Sequence, residues 1–299
     1  MRALLLGGRG AVGSVIRREL TREGHRVTVA GRSDTEGHRI DLRGDLRSVP
    51  RIAADHDVVV NASGVERADL AGAVAGVPLV DISATGSYLE ELRRTASGPV
   101  VLGAGLAPGL STVLVAGLHA SAGDELDVFV MLGTGEKHGP AAVDWTAGLV
   151  GTDLHRPPEG ARVRNLRESR RAVGPDGRSR RYLRADFPDH VLLEHSRSSI
   201  RTYLTLGSAA MTASLELVGR MPALRGLLAS APHIGSDAWH VIAQNRRSGA
   251  RLQASGRGQS LATGRLTALA AVRAVGAKDD VMTMADLVTV DEAMEVLRR

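Results

Sequence analysis

The 299-residue sequence contains no cysteine. That absence excludes disulfides, thiol nucleophiles and cysteine-held zinc or iron–sulfur clusters together. It accords with a reducing compartment. Aromatic residues make up 2% of the chain, so the stacking platforms used by single-strand nucleic-acid binders are missing. Lysine is nearly absent as well. Lys137 and Lys278 are the only two among 38 basic residues, and the rest are arginine. No apolar run approaches the roughly 20 residues of a membrane span. The opening run, Ala3 to Leu6, falls short of the roughly 7–15 residues of a secretory h-region. The ten histidines are scattered with no His-x-x-x-His pair, so no metal site is expected. These absences predict a cytoplasmic protein with neither a membrane nor a nucleic acid as partner.

What is present is a 43% apolar chain with a net charge of +5, enough to bury a core without staples. Ala3–Leu6, Arg26–Ala30, His38–Leu42, Asp57–Asn61, Pro78–Ile82 and Pro99–Leu102 read as six strands. Helices are expected between them at Ala11–Glu23, Arg43–Asp55, Glu66–Ala75 and Ser87–Ala96. Strand alternating with helix means a parallel sheet, and the nearly all-apolar strands mean that both its faces are covered. After Gly123 the rhythm changes. Strands at Asp127–Leu132, within 161–206, at Asp237–Gln244 and at Arg251–Ser255 are mixed with helices at Ala141–Leu149 and Ala209–Val218, an α+β pattern. A helix over Leu261–Val275 and another over Asp291–Arg298 close the chain. The expected fold class is therefore α/β, a Rossmann-type parallel sheet with a second α+β domain. The expected boundaries are 1–122, 123–257 and a C-terminal segment, 258–299.

The segment Gly7-Gly8-Arg9-Gly10-Ala11-Val12-Gly13 lies between the first strand and the first helix. Glycines at 7, 10 and 13 allow a tight turn, close approach of a pyrophosphate and helix–strand packing in that order. The helix N-terminus adds unpaired N–H groups and a positive dipole. At the end of the second strand, NAD-binding domains place an acid for the ribose 2′-OH, whereas an arginine accommodates a 2′-phosphate. Here Arg32 and Ser33 stand in that place, with Arg9 able to flank the same phosphate, so NADP is expected over NAD. Asp34 is the one residue that speaks for NAD. Asp41 and Leu42 end the third strand, where an adenine is met, and Asn61-Ala62-Ser63 ends the fourth, where small residues let a ribose pass.

This glycine loop resembles, together with Ala30-Gly31-Arg32, Asn61-Ala62-Ser63-Gly64, Val80-Asp81-Ile82-Ser83 and Gly103-Ala104-Gly105-Leu106-Ala107-Pro108-Gly109-Leu110, the saccharopine dehydrogenase-like family. The tail Gly256-Arg257-Gly258, Thr263 and the alanine-rich helix to Val275 is similar to it too. The likeness covers about 1–120 and the tail, and is nearly absent from 125–255. It implies a Rossmann domain, an inserted substrate domain, a C-terminal segment returning to the first domain, and dimers. It also implies hydride transfer between NADP and a C–N or C=O bond of a small amino-acid-derived substrate, with Gly105 in the cofactor-binding set. Such a substrate is expected to carry a carboxylate.

The Tyr-x-x-x-Lys pair of another large dehydrogenase family is missing, since Tyr88, Tyr182 and Tyr203 are followed at that spacing by Leu92, Asp186 and Gly207. The candidates for proton transfer are Asp81, at a strand's carboxyl end, and His138, in a glycine-flanked loop where an imidazole titrates near neutrality. Lys137 is the candidate contact for a substrate carboxylate, and His195, Trp239 and His240 are weaker candidates. Nine arginines between Arg162 and Arg184, around Gly174-Pro175-Asp176-Gly177, read as a solvated hairpin, with an anion clamp as the alternative. Two rival functions stay open: a cofactor-binding sensor or scaffold without chemistry, and a C=C or C=O reductase of a specialised pathway.

Overall fold

The computed structural model describes residues 1–32, 37–136, 140–230, 235–277 and 280–299. Its contacts divide the chain into two compact units, Met1–Val113 with Ser260–Arg299 and Leu114–Gln259.

The first unit opens β1 (Arg2–Leu6), α1 (Ala11–Arg22), β2 (Arg26–Gly31), β3 (His38–Arg39), α2 (Val49–Ala53), β4 (Val58–Asn61) and α3 (Leu70–Ala73). It continues with β5 (Leu79–Asp81), α4 (Gly86–Thr95), β6 (Val100–Leu102) and the start of α5 (Leu110–Gly117). In the second unit follow β7 (Glu125–Leu132), α6 (Pro140–Gly148), β8 (Ser169–Val173), β9 (Ser179–Arg184), α7 (Asp189–Leu192), β10 (Ser199–Leu206), α8 (Ala209–Arg220), β11 (Ala238–Asn245) and β12 (Arg251–Arg257). The chain then re-enters the first unit through α9 (Gln259–Ala274), β13 (Val281–Thr283), α10 (Met284–Leu287) and α11 (Val290–Arg298).

The first sheet has seven strands in the order β13-β6-β5-β4-β1-β2-β3, every neighbouring pair parallel. This is a doubly wound, Rossmann-type α/β sheet whose order reverses between β1 and β4. Leu4, Leu5 and Leu6 of β1 and Val58, Val59 and Val60 of β4 are at most 1% exposed. Each buried leucine contributes roughly 1.5–3 kcal/mol. Ile16 and Leu20 on one stripe of α1 join that core, as do Ala270, Ala271 and Ala274 of α9.

Besides α3, which covers only Leu70–Ala73 of the expected Glu66–Ala75, three elements differ from the sequence expectation. The third strand keeps only His38–Arg39, and the helix expected from Arg43 begins at Val49. The cause is local, because Asp41 accepts from the Arg43 N–H at 3.0 Å and Asp45 from the Arg47 N–H at 2.8 Å. Aspartates bonded two residues ahead compete with helix formation. The third difference is β13, which pairs with β6 from Val281↔Val100 to Thr283↔Leu102. Nothing in the sequence pattern announced it.

The second unit is α+β. Its six-stranded sheet runs β12-β11-β7-β10-β9-β8, with β7 and β10 parallel and the other pairs antiparallel. Phe129, Tyr182, Tyr203 and Ile242 form an apolar cluster on this sheet, none more than 6% exposed. Among the described residues no helix is long and apolar enough to cross a membrane.

Candidate functional site

The glycine loop turns sharply out of β1. Gly7, at φ +83°, donates its N–H to the Ala30 carbonyl at 3.0 Å, and its own carbonyl accepts from the Gly10 N–H. A Cβ at Gly7 would lie 2.5 Å from the Ser63 Cα, and one at Gly13 would lie 2.2 Å from the Gly7 oxygen. A Cβ at Gly8 would meet the Val29 side chain at 2.7 Å. These three glycines are required by the fold itself. Gly10 is different. A Cβ there would find only the Gly7 oxygen, at 3.4 Å, and its φ of −70° suits any residue. The protein places no steric demand on that position, and a phosphate approaching the backbone would.

Gly10 caps α1 with no side-chain hydrogen bond, and the first turn holds no acid. The N–H groups of Ala11, Val12 and Gly13 therefore form the positive end of a helix dipole with no capping side chain or first-turn acid to answer it. A cleft of about 210 Å³ lies against this turn, at the switch point between β1 and β4. It is lined by Gly7, Gly8, Arg9 and Gly10, by the end of β2 through Arg32, by Ile40 to Arg43, and by Ser63 and Val65. Among the described residues the lining holds three exposed arginines, Arg9, Arg32 and Arg43, and one carboxylate, that of Asp41. The balance favours an anion. Arg43 and Val65 were not among the residues expected from the sequence. The Asp41 turn that replaces the expected helix is what carries Arg43 to the cleft.

Leu42 is 4% exposed and forms the apolar floor beside Asp41. Arg67 pins this loop, donating to the Leu42 carbonyl at 3.1 Å and to the Gly44 carbonyl, while Asp69 holds its other edge at 2.7 and 2.9 Å.

Asn61 sits at the end of β4, 2% exposed, and organises the neighbouring loop without facing the cleft. Its Nδ2 donates to the Val65 carbonyl at 3.2 Å and to Asp81 Oδ2 at 2.7 Å. Its Oδ1 accepts from the Ser63 hydroxyl at 2.7 Å. Ala62 packs its backbone against Gly7. Asp81 is fully buried. Besides Asn61 it accepts from the Ser83 N–H at 2.7 Å and from the Tyr88 hydroxyl at 2.9 Å. Burial pushes its carboxyl above the ordinary range, and the bonds from Ser83, Asn61 and Tyr88 pull the other way. Burial, and then the Asp81 charge, push the Tyr88 hydroxyl up as well. A proton-transfer role for Asp81 needs a carboxylate that reaches a ligand. This one is fully buried and accepts from Asn61, Ser83 and Tyr88, joining the ends of β4 and β5.

Gly105 lies on the loop after β6, outside the cleft lining. Its N–H donates to the Pro108 carbonyl at 2.9 Å, and a Cβ on Gly109 would lie 2.1 Å from the Gly105 oxygen. Ser33, Lys137 and His138 lie outside the described residues. In the second unit His240 is a core residue, 3% exposed, with its Nε2 at 2.7 Å from the Tyr182 hydroxyl. Burial, reinforced by Arg180, lowers its pKa to about 4. Trp239 is buried beside Gly256, and His195 is exposed. Among the described residues no group of three or more histidine or acidic side chains is placed to hold a metal.

No protein-family model and no curated protein matches the chain. Solved structures do. An engineered D-amino acid dehydrogenase bound to NADP+ aligns over 96% of this chain and 94% of its own, at 14% identity and a TM-score of 0.48. The C. glutamicum DAP dehydrogenase in complex with DAP covers the same shares at 13% identity and 0.48. A dipicolinate-bound dihydrodipicolinate reductase from Paenisporosarcina sp. TG-14 covers 96% of this chain and 99% of its own, at 12% and 0.44. At these identities and TM-scores the fold assignment rests on the strand order itself.

Proposed function

We propose that the chain is an NADP-dependent oxidoreductase of the saccharopine dehydrogenase-like kind. Its substrate is a small, carboxylate-bearing, amino-acid-derived molecule in which a C–N or C=O bond gains or loses hydride. The observation that carries the reading is the cleft at the switch point. A loop whose Gly10 the fold does not require opens an uncapped helix N-terminus there, beside Arg9, Arg32 and Arg43. These residues fit a dinucleotide: the α1 N–H groups suit its pyrophosphate, and Arg32, with Arg9 and Arg43, suits a 2′-phosphate. Leu42, Ile40 and Val65 supply apolar walls for the adenine.

When bound, the dinucleotide supplies or accepts the hydride. The protein's part at this end is binding and orientation. The Asn61–Asp81–Tyr88 chain fixes the ends of β4 and β5, and Arg67 holds the loop carrying Leu42 and Arg43 in place. Asp81 and His138 keep the proton-transfer roles expected of them, and Lys137 the contact to a substrate carboxylate. Homodimers belong to the same reading.

A second reading, a dinucleotide-binding sensor without chemistry, is favoured by the complete enclosure of Asp81. One experiment separates the two. The chain is mixed with NADPH deuterated at the transferable position and with a panel of amines paired with keto acids. Deuterium appearing on the carbon of a captured amine or alcohol supports the enzyme. Stoichiometric NADPH binding with no label transferred across the panel supports the sensor, and absence of NADPH binding overturns both.

A further inference from the structure

The second unit accounts for eight of the nine arginines between 162 and 184. Arg162 and Arg164 share Asp153, and Arg167 donates to the Arg220 carbonyl. Arg170 meets buried Asp127 at 2.7 Å, and Arg178 and Arg180 close on Asp176. Arg181 reaches Glu216 at 2.6 Å, and Arg184 faces Glu159 at 3.6 Å. The ninth, Arg171, has neither an ion pair nor a side-chain hydrogen bond among the described residues.

The strand register sets Arg171 directly opposite Arg181. Directly opposed residues of an antiparallel pair share a face, and like charges in that position repel. Arg181 extends to Glu216 of α8, so Arg171 also stands on the α8 side of the hairpin. Glu216 does not pair with it; both of its ion pairs are made through Oε1. That carboxylate is already shared by Arg181 and, at 3.0 Å, Arg220.

Arg171 and Arg181 line a pocket of about 280 Å³ whose far wall is Ser208 and Ala209, the start of the 12-residue helix α8. The first turn of α8 carries no acid. Ser208 Oγ accepts from the Met211 N–H at 3.1 Å, which leaves the N–H groups of Ala209 and Ala210 without an intrahelical acceptor. Thr205 and Thr212 in the same wall bond to each other at 3.0 Å. Among the described residues the lining holds Arg171 with no ion pair, Arg181 opposite it, Arg180 paired with Asp176, and one carboxylate, Glu216, which pairs with Arg181 and Arg220.

We infer that this pocket binds a small oxyanion, a carboxylate or a phosphate, with Arg171 as the fork that grips it. A guanidinium holds either group through two parallel N–H···O bonds, and an anion between Arg171 and Arg181 removes the repulsion across the hairpin. The site lies wholly in the second unit and does not rest on the dinucleotide reading.

The test is calorimetric titration of the full chain with succinate and, separately, inorganic phosphate, against sodium chloride at equal ionic strength. It is run on the wild type, on Arg171→Gln and on Arg178→Gln, an exposed arginine of the same hairpin outside the lining. Circular dichroism first checks that each variant is folded. The expected result is saturable binding of at least one oxyanion, weakened tenfold or more by Arg171→Gln and less than twofold by Arg178→Gln. Preference for succinate identifies a carboxylate ligand, and preference for phosphate identifies a phosphate ligand. Equal loss in both variants, or oxyanion binding no tighter than chloride, overturns the proposal.

Discussion

The two units handle polar groups in opposite ways. In the first, the central strands are apolar over Ala3–Leu6 and Val58–Val60, and polar residues gather where β1, β2 and β4 stop. In the second, charge is built into the sheet. Asp127, 2% exposed, takes Arg246 through two bonds of 2.9 and 2.7 Å and Arg170 through a third contact of 2.7 Å. Arg184 is fully buried, with its guanidinium 5.6 Å from the centre of the Tyr203 ring, and burial lowers its pKa. The first unit sets its cleft against a loop in which Gly7, Gly8 and Gly13 leave no room for a side chain. The second spends its polar residues holding itself together.

That contrast can be broken by substitution, and the largest effect is expected in the glycine loop. Gly13→Ala forces a Cβ to within 2.2 Å of the Gly7 oxygen. It should cost about 3 kcal/mol in chemical denaturation and weaken dinucleotide binding by roughly a hundredfold. Gly10→Ala, whose Cβ would find only the Gly7 oxygen at 3.4 Å, should change stability by less than about 0.5 kcal/mol yet still weaken NADPH binding about tenfold. Loss of stability in both variants would mean that the loop serves only the fold.

In the second unit Asp127→Ala leaves two guanidinium groups facing an empty place. Both guanidinium groups reach solvent and Arg246 keeps Glu125, so the loss should be about 2 kcal/mol in chemical denaturation. NADPH affinity should stay within twofold, so a parallel loss of binding would erase the distinction between the units.

An effect that depends on pH is expected at His240. Its folded pKa of about 4 lies below the ordinary 6.5. Between those values the unfolded chain takes up the proton first. The stability contributed by the neutral imidazole is therefore complete above pH 6.5 and declines as the pH falls toward 4, by on the order of 3 kcal/mol. His240→Gln should flatten the profile of midpoint against pH over that window. An unchanged slope would remove His240 from the account.

The same contrast explains what the sequence made legible. The glycine loop, Arg32 and the apolar strands are local features, each readable within about seven residues of chain. Arg43 was hidden because its place depends on the Asp41 turn, which suppresses a helix that the composition favours. The Asn61–Asp81 bond spans 20 residues, and the Asp127–Arg246 pair spans 119. No periodicity reports such pairings. β13 escaped notice because three residues, Val281–Thr283, are too few to show a strand pattern and run straight into α10. The enclosure of Asp81 could not be read at all, since a strand-end aspartate looks the same whether it faces a ligand or three hydrogen-bond donors.

The central claim is that the cleft beside Arg32 takes a dinucleotide with a 2′-phosphate, and equilibrium titration of NADPH and NADH into wild type and Arg32→Asp tests it most directly. The wild type should prefer NADPH. Arg32→Asp should weaken NADPH by at least tenfold more than NADH, because the phosphate loses a cation and meets a carboxylate. Equal losses for the two cofactors would contradict it.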